Sequence, residues 1–483
     1  MSIDKILESK ELTAAEKINT LKDKTIKVPA WGGRNGLLHQ YDPMRHPVMN
    51  KQKYPDIVTE EGIEYVTRIA LDLPRLAVKR MTELCCGIPP KRVYKPQNDR
   101  QKKIAAYIEA IFARNRIDSV NIERFNMLFA SCEYMTLWYA IEERNNLYGF
   151  KSPLKFRCRN FSPMQGDELY PLYDYYGDMV AMSVGYTRKV GKKDVQFFDT
   201  YTATKHIKFS NANGEWEQVE DEDITILKIP AVYNWRPTPI WEDQIGTVYE
   251  IEWALSRNGN YLRKNSKPIF VVMADEVIQF GDEKGQDKEF KTVMQFPKGS
   301  IAQYVTWSQA IENLKFHTQE LRSLFFTQLQ LPDWSYEKMS QQALSGESRK
   351  QLFIDAQMKV NDESGRLLEA LDREVNVVKA FLKTALPEEW HADIDALPVE
   401  SKITPFSITD RKETVDTLQA ANGGKALMSQ RESIEEFGYS DDVEKTMKQI
   451  AEEDSFDALE LSDLSPAQPR KPQNQKQGDK AGN

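Results

Sequence analysis

The sequence predicts an α+β fold, and three observations carry that reading. Residues 153–235 alternate polar with β-branched and aromatic residues, with turn signals at YYGD, VGKK and NANGE between the runs. That is the pattern of antiparallel sheet. Two helix-length stretches, 241–266 and 306–329, flank a short region, 267–305, that returns to strand patterning. A third and longer helical stretch starts near residue 347 and meets no proline until Pro387.

Taken in order, residues 59–86 (TEEGIEYVTRIALDLPRLAVKRMTELCC) space Ile63, Val66, Ala70 and Leu73, then Leu76, Met81 and Leu84, as one amphipathic helical face. Pro74 is expected to kink or split that helix, because it removes a backbone donor. GIPP ends it, and KRVYKP reads as a short strand. Helices follow over 100–115 and 118–133, then a strand at 132–143, CEYMTLWYAIEE, that runs into a turn at ERNNLYG. After the sheet region, two prolines in RPTPIWED precede the first long helix, whose apolar stripe is Trp241, Ile245, Val248, Leu255 and Leu262. In 267–305, GDEKGQDKE reads as a polar hairpin tip. Thr306 with Gln309 fits a capping box for the second long helix, which carries Ile311, Leu314, Leu321 and Phe325 on one face and stops at Pro332.

The longest helix, 347 to about 386, steps its apolar residues by three and four from Phe353 through Val360, Leu367, Leu371, Val375 and Val378 to Leu382. Ser345 is its candidate N-cap. The last helices break at NGG and FGYS. Residues 461–483, rich in Pro, Gln, Lys and Gly, cannot bury enough apolar surface to offset their ordering entropy and are expected to be disordered. Two helices of about twenty residues reach roughly 30 Å each. Side by side they form a stalk that cannot bury both faces alone, so repetition around a symmetry axis is expected.

Composition narrows the function classes. The 483 residues are 40% hydrophobic and carry a net charge of −8, which argues against a protein that grips nucleic acid tightly. No apolar run reaches the roughly 18 residues of a membrane helix, and the charged N-terminus has no apolar core of a secretory signal. Cys85, Cys86, Cys132 and Cys158 lack C-x-x-C spacing and read as reduced, buried thiols. No catalytic constellation is present. NGGK at 422–425 sits between helices and lacks the earlier glycine of a phosphate-cradling loop. Asp393 and Asp395 with His391 are spaced like half a metal site, but a solvated loop explains them better. Ser345 and Ser348 have no histidine in local reach. No cofactor or metal is implied.

Several local patterns, in this order, resemble the portal proteins of tailed bacteriophages, in particular the compact portals of long-tailed phages. RLAVKRMTELCCGIPPKRVYKP resembles that family's helix ending in a Gly-x-Pro turn before a strand. VNIERFNMLFASCEYMTLWYAIEE resembles its helix leading into an aromatic strand, and FRCRNFSPMQGDELYPLYD with MVAMSVGYTR its paired strands. LSGESRKQLFIDAQMKVNDESGRLLEAL resembles its Ser-Gly before a long helix, and MSQRESIEEFGYSDDVEKTMKQIAEE its terminal helix pair. The likeness spans roughly residues 50 to 455.

The resemblance implies a mixed α/β wing with an N-terminal arm (1–240), stem helices 241–266 and 306–329, a small clip (267–305), a tunnel loop (330–346), a long kinked wing helix (347–399), a helical crown (400–460) and a tail (461–483). It implies a ring, usually of twelve copies, at one capsid vertex of the virion, assembled in the host bacterial cytoplasm. DNA would enter and leave through that ring. The implied partners are further copies of the chain, double-stranded DNA, the terminase large subunit, head–tail connector proteins, and the major capsid protein with its scaffold. Stem packing between subunits would fall to Trp241, Ile245, Val248, Leu255, Ile311, Leu314, Leu321 and Phe325, and clip docking to Asp282, Lys284, Asp287 and Lys288. Ser340, Gln341, Gln342, Ser345 and Gly346 would face DNA without gripping it. Arg349 and Lys350 would either touch phosphate lightly or form salt bridges between subunits. A non-enzymatic oligomeric scaffold or adaptor is the alternative, and a DNA-processing enzyme stands behind it.

Overall fold

Pro74 opens a helix instead of bending one. In the structure, a computed structural model, it occupies the first turn of a helix spanning Leu73–Cys86, where its missing N–H is not needed. The residues before it are not helical. Ile57–Thr59 (β1) and Gly62–Glu64 (β2) form a small hairpin, and residues 65–71 belong to no helix or strand. The expected helical face of Ile63, Val66, Ala70 and Leu73 is therefore corrected: only its C-terminal part, from Leu73 on, is helix. The structure describes residues 3–22, 25–60, 62–265, 269–273, 301–305, 309–333, 354–406, 411–423, 426–438, 440 and 443–463. They fall into two units, one of described residues up to 406 and one from 411 to 463.

The first unit is layered. Its helices in chain order are Ile3–Glu8 (α1), Ala14–Leu21 (α2), Leu38–Tyr41 (α3), Leu73–Cys86 (α4), Asp99–Arg114 (α5) and Ile117–Ser131 (α6). Asn98 caps α5 by accepting from the Gln101 amide, which satisfies one of the donors a helix start leaves open. Lys91–Tyr94 (β3) lies between α4 and α5. Then come Glu133–Asn145 (β4), Ser152–Phe161 (β5), Glu168–Tyr173 (β6), Met179–Val190 (β7), Lys193–Tyr201 (β8), Lys205–Ser210 (β9), Glu217–Asp223 (β10) and Ala231–Trp235 (β11). All pairings are antiparallel, as the alternation predicts. They make two sheets, ordered β11-β4-β5 and β10-β9-β8-β7-β6.

Alternate residues of β4 serve two cores, because side chains on a strand alternate faces. Trp138 packs with Phe156 against α5 and the long helix Ile354–Ala385, which we number α9. Met135 and Leu137 point the other way, onto Met182, Val184 and Tyr186 of the five-stranded sheet. The far face of that sheet is covered by Ile3, Leu7, Ile18 and Leu21 of α1 and α2. The order of layers is thus helices, three strands, five strands, helices.

Two helices leave this body, Ile245–Asn265 (α7) and Gln309–Gln328 (α8). Between them in sequence, Ile269–Met273 (β12) pairs antiparallel with Ile301–Val305 (β13). The helix α9 is unbroken over 32 residues, about 48 Å. It is followed by His391–Ala396 (α10) and Val399–Lys402 (β14), which pairs with β3. The second unit holds Arg411–Asn422 (α11), Gln430–Phe437 (α12) and Val443–Asp463 (α13). Ser429 and Glu432 form a capping box at the start of α12. Ser345, Thr306 and residues 464–483, for which caps and disorder were expected, lie outside the described residues.

Candidate functional site: a paired-helix stalk and its roots

Residues 65–71 run along α7 and bond to it in steps. Glu252 Oε1 accepts from the Leu71 amide at 2.7 Å, Ser256 Oγ from the Ile69 amide at 2.8 Å, and Asn260 Oδ1 from the Thr67 amide at 2.5 Å. Four helical residues rise about 6 Å, and two extended residues advance about 6.6 Å. Positions four apart on α7 therefore meet positions two apart on the strap. Arg263 extends the ladder to Thr67 Oγ1 and the Tyr65 carbonyl. Gly259 lets the strap approach: a Cβ there would stand 2.7 Å from Thr67 Cγ2.

Glu252 also meets His46. The His46 ring is buried with Nδ1 2.6 Å from Glu252 Oε1 and Nε2 2.9 Å from the Gln40 carbonyl. Burial opposes the charge on His46, but the bonds to Glu252 and Gln40 outweigh it and raise the pKa above the usual 6.5. Gln40 also accepts from the indole N–H of Trp241 at 2.9 Å.

The other stalk helix ends in a pinned turn. Phe325 and Phe326 are buried and meet edge-on at 5.2 Å. The guanidinium of Arg80, from α4, lies 4.2 Å over Phe326 and donates to the Pro332 carbonyl. Asp333 Oδ1 stands 3.7 Å from Arg80 and 3.6 Å from Arg322. Between them Gln330 takes a left-handed φ of 55°. When the chain is described again, at Ile354, it enters α9, which is fixed by Arg236 to Glu363 at 2.8 Å and by Arg366 to the Trp235 carbonyl at 2.9 Å. Deeper along α9, Glu374 is fully buried. It accepts from Arg124 at 2.8 and 2.9 Å, from Arg92 at 2.7 Å and from Trp138 Nε1 at 3.1 Å. Burial pushes its pKa up, but the two guanidiniums more than offset that and hold it below the usual range.

The expected site residues divide into three groups. Ser340, Gln341, Gln342, Ser345, Gly346, Arg349 and Lys350 lie outside the described residues, as do Asp282, Lys284, Asp287, Lys288 and the side chain of Ile311. Trp241, Val248 and Phe325 are buried inside the chain itself. Assigning them to packing between subunits is corrected on that ground, since a side chain already covered offers no surface to a neighbour. Trp241 also precedes α7, which starts at Ile245. Ile245, Leu255, Leu314 and Leu321 are half-buried on α7 and α8, which pack side by side. The apolar surface the stalk does expose is Trp253, Leu262, Phe316 and Leu324. Of these only Leu262 stood on an expected stripe.

Sequence reasoning missed the strap and the Arg80–Asp333 root. The strap carried a signal, the Pro-containing break in an otherwise helical pattern. The root carried none, because its partners lie 253 positions apart in Arg80 and Asp333. The carboxylates of 391–396 serve the fold. Asp393 accepts from Asn98 at 2.8 Å, Asp395 pairs with Lys383, and His391 Nε2 donates to the Lys383 carbonyl at 2.9 Å. Among the described residues no group of three or more His, Cys, Asp or Glu is placed to hold a metal, and no helix is long and apolar enough to cross a membrane. The four cysteines are free, and burial pushes Cys86, Cys132 and Cys158 up to about 12.

Residues 38–458 match the family profile described as phage portal protein, SPP1 Gp6-like. The chain belongs to the phage portal protein family. No curated protein matches this portal chain. Among solved structures it is similar to a chain of "Neck of empty GTA particle computed with C6 symmetry", at 12% identity over 85% of this portal and 95% of that chain, with a TM-score of 0.41. It is also similar to chains of "Virion of native gene transfer agent (GTA) particle" (11% identity, 91% and 99% covered, TM-score 0.40) and "Neck of native GTA particle computed with C12 symmetry" (12%, 88% and 98%, 0.41). The mixed helix and sheet architecture of the described residues accords with a portal fold.

Proposed function

We propose that the chain is the repeating subunit of a ring at one vertex of a phage capsid, a conduit for DNA in packaging and ejection and not an enzyme. The family match over residues 38–458 carries this reading. The stalk supports it: α7 and α8 stand together and expose Trp253, Leu262, Phe316 and Leu324, which neighbouring stalks would cover in a ring of about twelve copies. The β12–β13 pair lies at the clip, which would dock the terminase large subunit and later the head–tail connector. The crown would face the capsid interior, and the major capsid protein with its scaffold would surround the wing.

The tunnel loop would be residues 330–346, beginning at the Arg80–Asp333 root. Its sequence, neutral and polar around Ser340–Ser345 with Gly346 behind, suits a loop that touches a sliding duplex without gripping it, since few cations means little counterion-release affinity. The net charge of −8 on each copy works the same way.

Negative-stain microscopy with native mass measurement, at low and high protein concentration, tests the reading. Rings of about twelve copies with a central hole are the expected result. A monomer or dimer under all conditions overturns it.

A further inference from the structure

The sheet β11-β4-β5 loses its cover part-way along. Met135 and Leu137 are buried beneath the five-stranded sheet, but Tyr139 and Ile141, next on the same side of β4, are 39% and 44% exposed. Their cross-strand partners on β5 are Arg157 and Lys155, and the partner of Leu137 is Arg159. Residues opposite one another in an antiparallel ladder share a face. Arg159 lies 4.7 Å over Phe161, whose ring is 5.8 Å from that of Tyr186, and Arg188 lies 4.8 Å over Tyr186. Two guanidiniums thus bracket an aromatic pair at the mouth of the inter-sheet core. Lys155 is neutralised by Glu143 at 2.9 Å. Arg157, Arg159 and Arg188 join no ion pair among the described residues, and the latter two are exposed.

The complement to this strip lies on the same unit. β10 reads EQVEDED and is an edge strand of the five-stranded sheet. Three of its acids face basic side chains of β9: Glu220 lies 2.8 Å from Lys208, Asp221 3.7 Å from Lys205, and Glu222 3.8 Å from the His206 ring. Glu217 and Asp223, with Glu215 just before the strand, are exposed and join no ion pair among the described residues. Val219 is 50% exposed beside them.

We infer that the strip of Tyr139, Ile141, Arg157, Arg159 and Arg188 receives the β10 strand of an adjacent copy of this chain. The inference rests on the ring reading above and names a contact within it. Three unpaired guanidiniums meet three unpaired carboxylates, and Val219 covers the exposed Tyr139 and Ile141. Arginine–carboxylate contacts are among the stronger charge-assisted hydrogen bonds, and opposed patches fix register and reject wrong partners. The two surfaces are different patches of one subunit, so the contact is head-to-tail, the kind that generates rings. A nucleic-acid occupant would leave the acidic strand without a counterpart and would have to approach a chain of net charge −8.

The test uses the full chain and charge reversal. One variant carries Arg157→Glu, Arg159→Glu and Arg188→Glu; another carries Glu215→Lys, Glu217→Lys and Asp223→Lys. Each alone is expected to raise the concentration needed for ring assembly by at least about tenfold, because every contact then opposes like charges. Mixed in equal amounts, the two should assemble again, since an alternating ring restores opposite signs at every contact. A chain carrying all six substitutions should also assemble. Rescue by mixing cannot come from a chain that has failed to fold, so folding defects do not imitate the expected result. Assembly of either variant alone at wild-type concentration, or failure of the mixture, overturns the inference while leaving the portal reading in place. Intact rings that have lost retention of duplex DNA overturn it in favour of a nucleic-acid strip. Absence of rings from the wild-type chain itself removes the portal reading and this contact with it.

Discussion

The ring of His46 lies between two oxygens, one from Glu252 and one from the Gln40 carbonyl. A carbonyl can only accept, so Nε2 donates, and the pair with Glu252 then holds one further proton between Nδ1 and the carboxylate. The folded-state pKa of His46 is raised above 6.5. The stabilisation from the pair is therefore complete below pH 6.5 and is lost as pH rises through the raised value. Melting temperatures recorded from about pH 6 to about pH 9 should fall in the wild type, and the fall should be shallower in His46→Gln. Glu374 is a second buried charge on which several groups depend. Glu374→Gln leaves Arg124 and Arg92 without their carboxylate, and the expected loss is about 3–5 kcal/mol in a denaturant titration. Replacing Arg92, Arg124 and Glu374 together by Met, Met and Leu should recover much of that loss, because no unpaired charge then remains in the core.

Two glycines on one helix separate backbone propensity from packing. Gly246 and Gly259 both lie in α7. A Cβ at Gly246 meets nothing within 4 Å, whereas at Gly259 it would press on Thr67. Gly246→Ala should stabilise by about 0.4–1 kcal/mol through reduced entropy of the unfolded chain. Gly259→Ala should destabilise by about 1–3 kcal/mol, because the strap must move away from the helix it bonds to. Thermal unfolding of the two variants side by side checks both signs. If both stabilise, the strap is not held against α7 as described. The same ladder explains why residues 65–71 need no regular partner strand. The amides of Thr67, Ile69 and Leu71 are satisfied by Asn260, Ser256 and Glu252, and that of Val66 by Asp56, in keeping with the requirement that buried backbone donors be paired.

For the whole molecule, the two roles weighed for Arg349 and Lys350 predict different outcomes. If they touch DNA in the channel, Arg349→Ala with Lys350→Ala leaves ring mass unchanged and lowers the yield of DNA-filled particles severalfold. If they bridge subunits, ring formation itself falls. The expected outcome is unchanged ring mass, since on the conduit reading two cations of a chain of net charge −8 would act as weak phosphate contacts. Native mass measurement and a packaging assay on the same preparation distinguish the two. Removing residues 464–483 should leave the number of copies in the ring unchanged, because their composition provides little apolar surface to bury at a subunit contact.

What the sequence determined by itself is what short-range rules control. The alternation over 153–235 marked β5, β7, β8, β9 and β11, and the aromatic run at 132–143 marked β4. The three–four spacing of Val360, Leu367, Leu371, Val375 and Val378 fixed α9, and NGG with FGYS fixed the breaks between the last three helices. The ordered series of local patterns was enough to reach the portal family. Tertiary structure alone decided which surfaces were already taken. The apolar spacing around Ile63 and Val66 looked helical, yet α7, nearly two hundred residues away, supplies side-chain acceptors for the amides of Thr67, Ile69 and Leu71. The stripe of Trp241, Val248 and Phe325 showed that something must cover those side chains, but not that their own chain does so. Arg80 with Asp333, and Arg92 and Arg124 with Glu374, left no local mark at all. Periodicity records that a side chain is to be buried; the identity of its cover depends on contacts between segments far apart in sequence, and only the folded chain sets those.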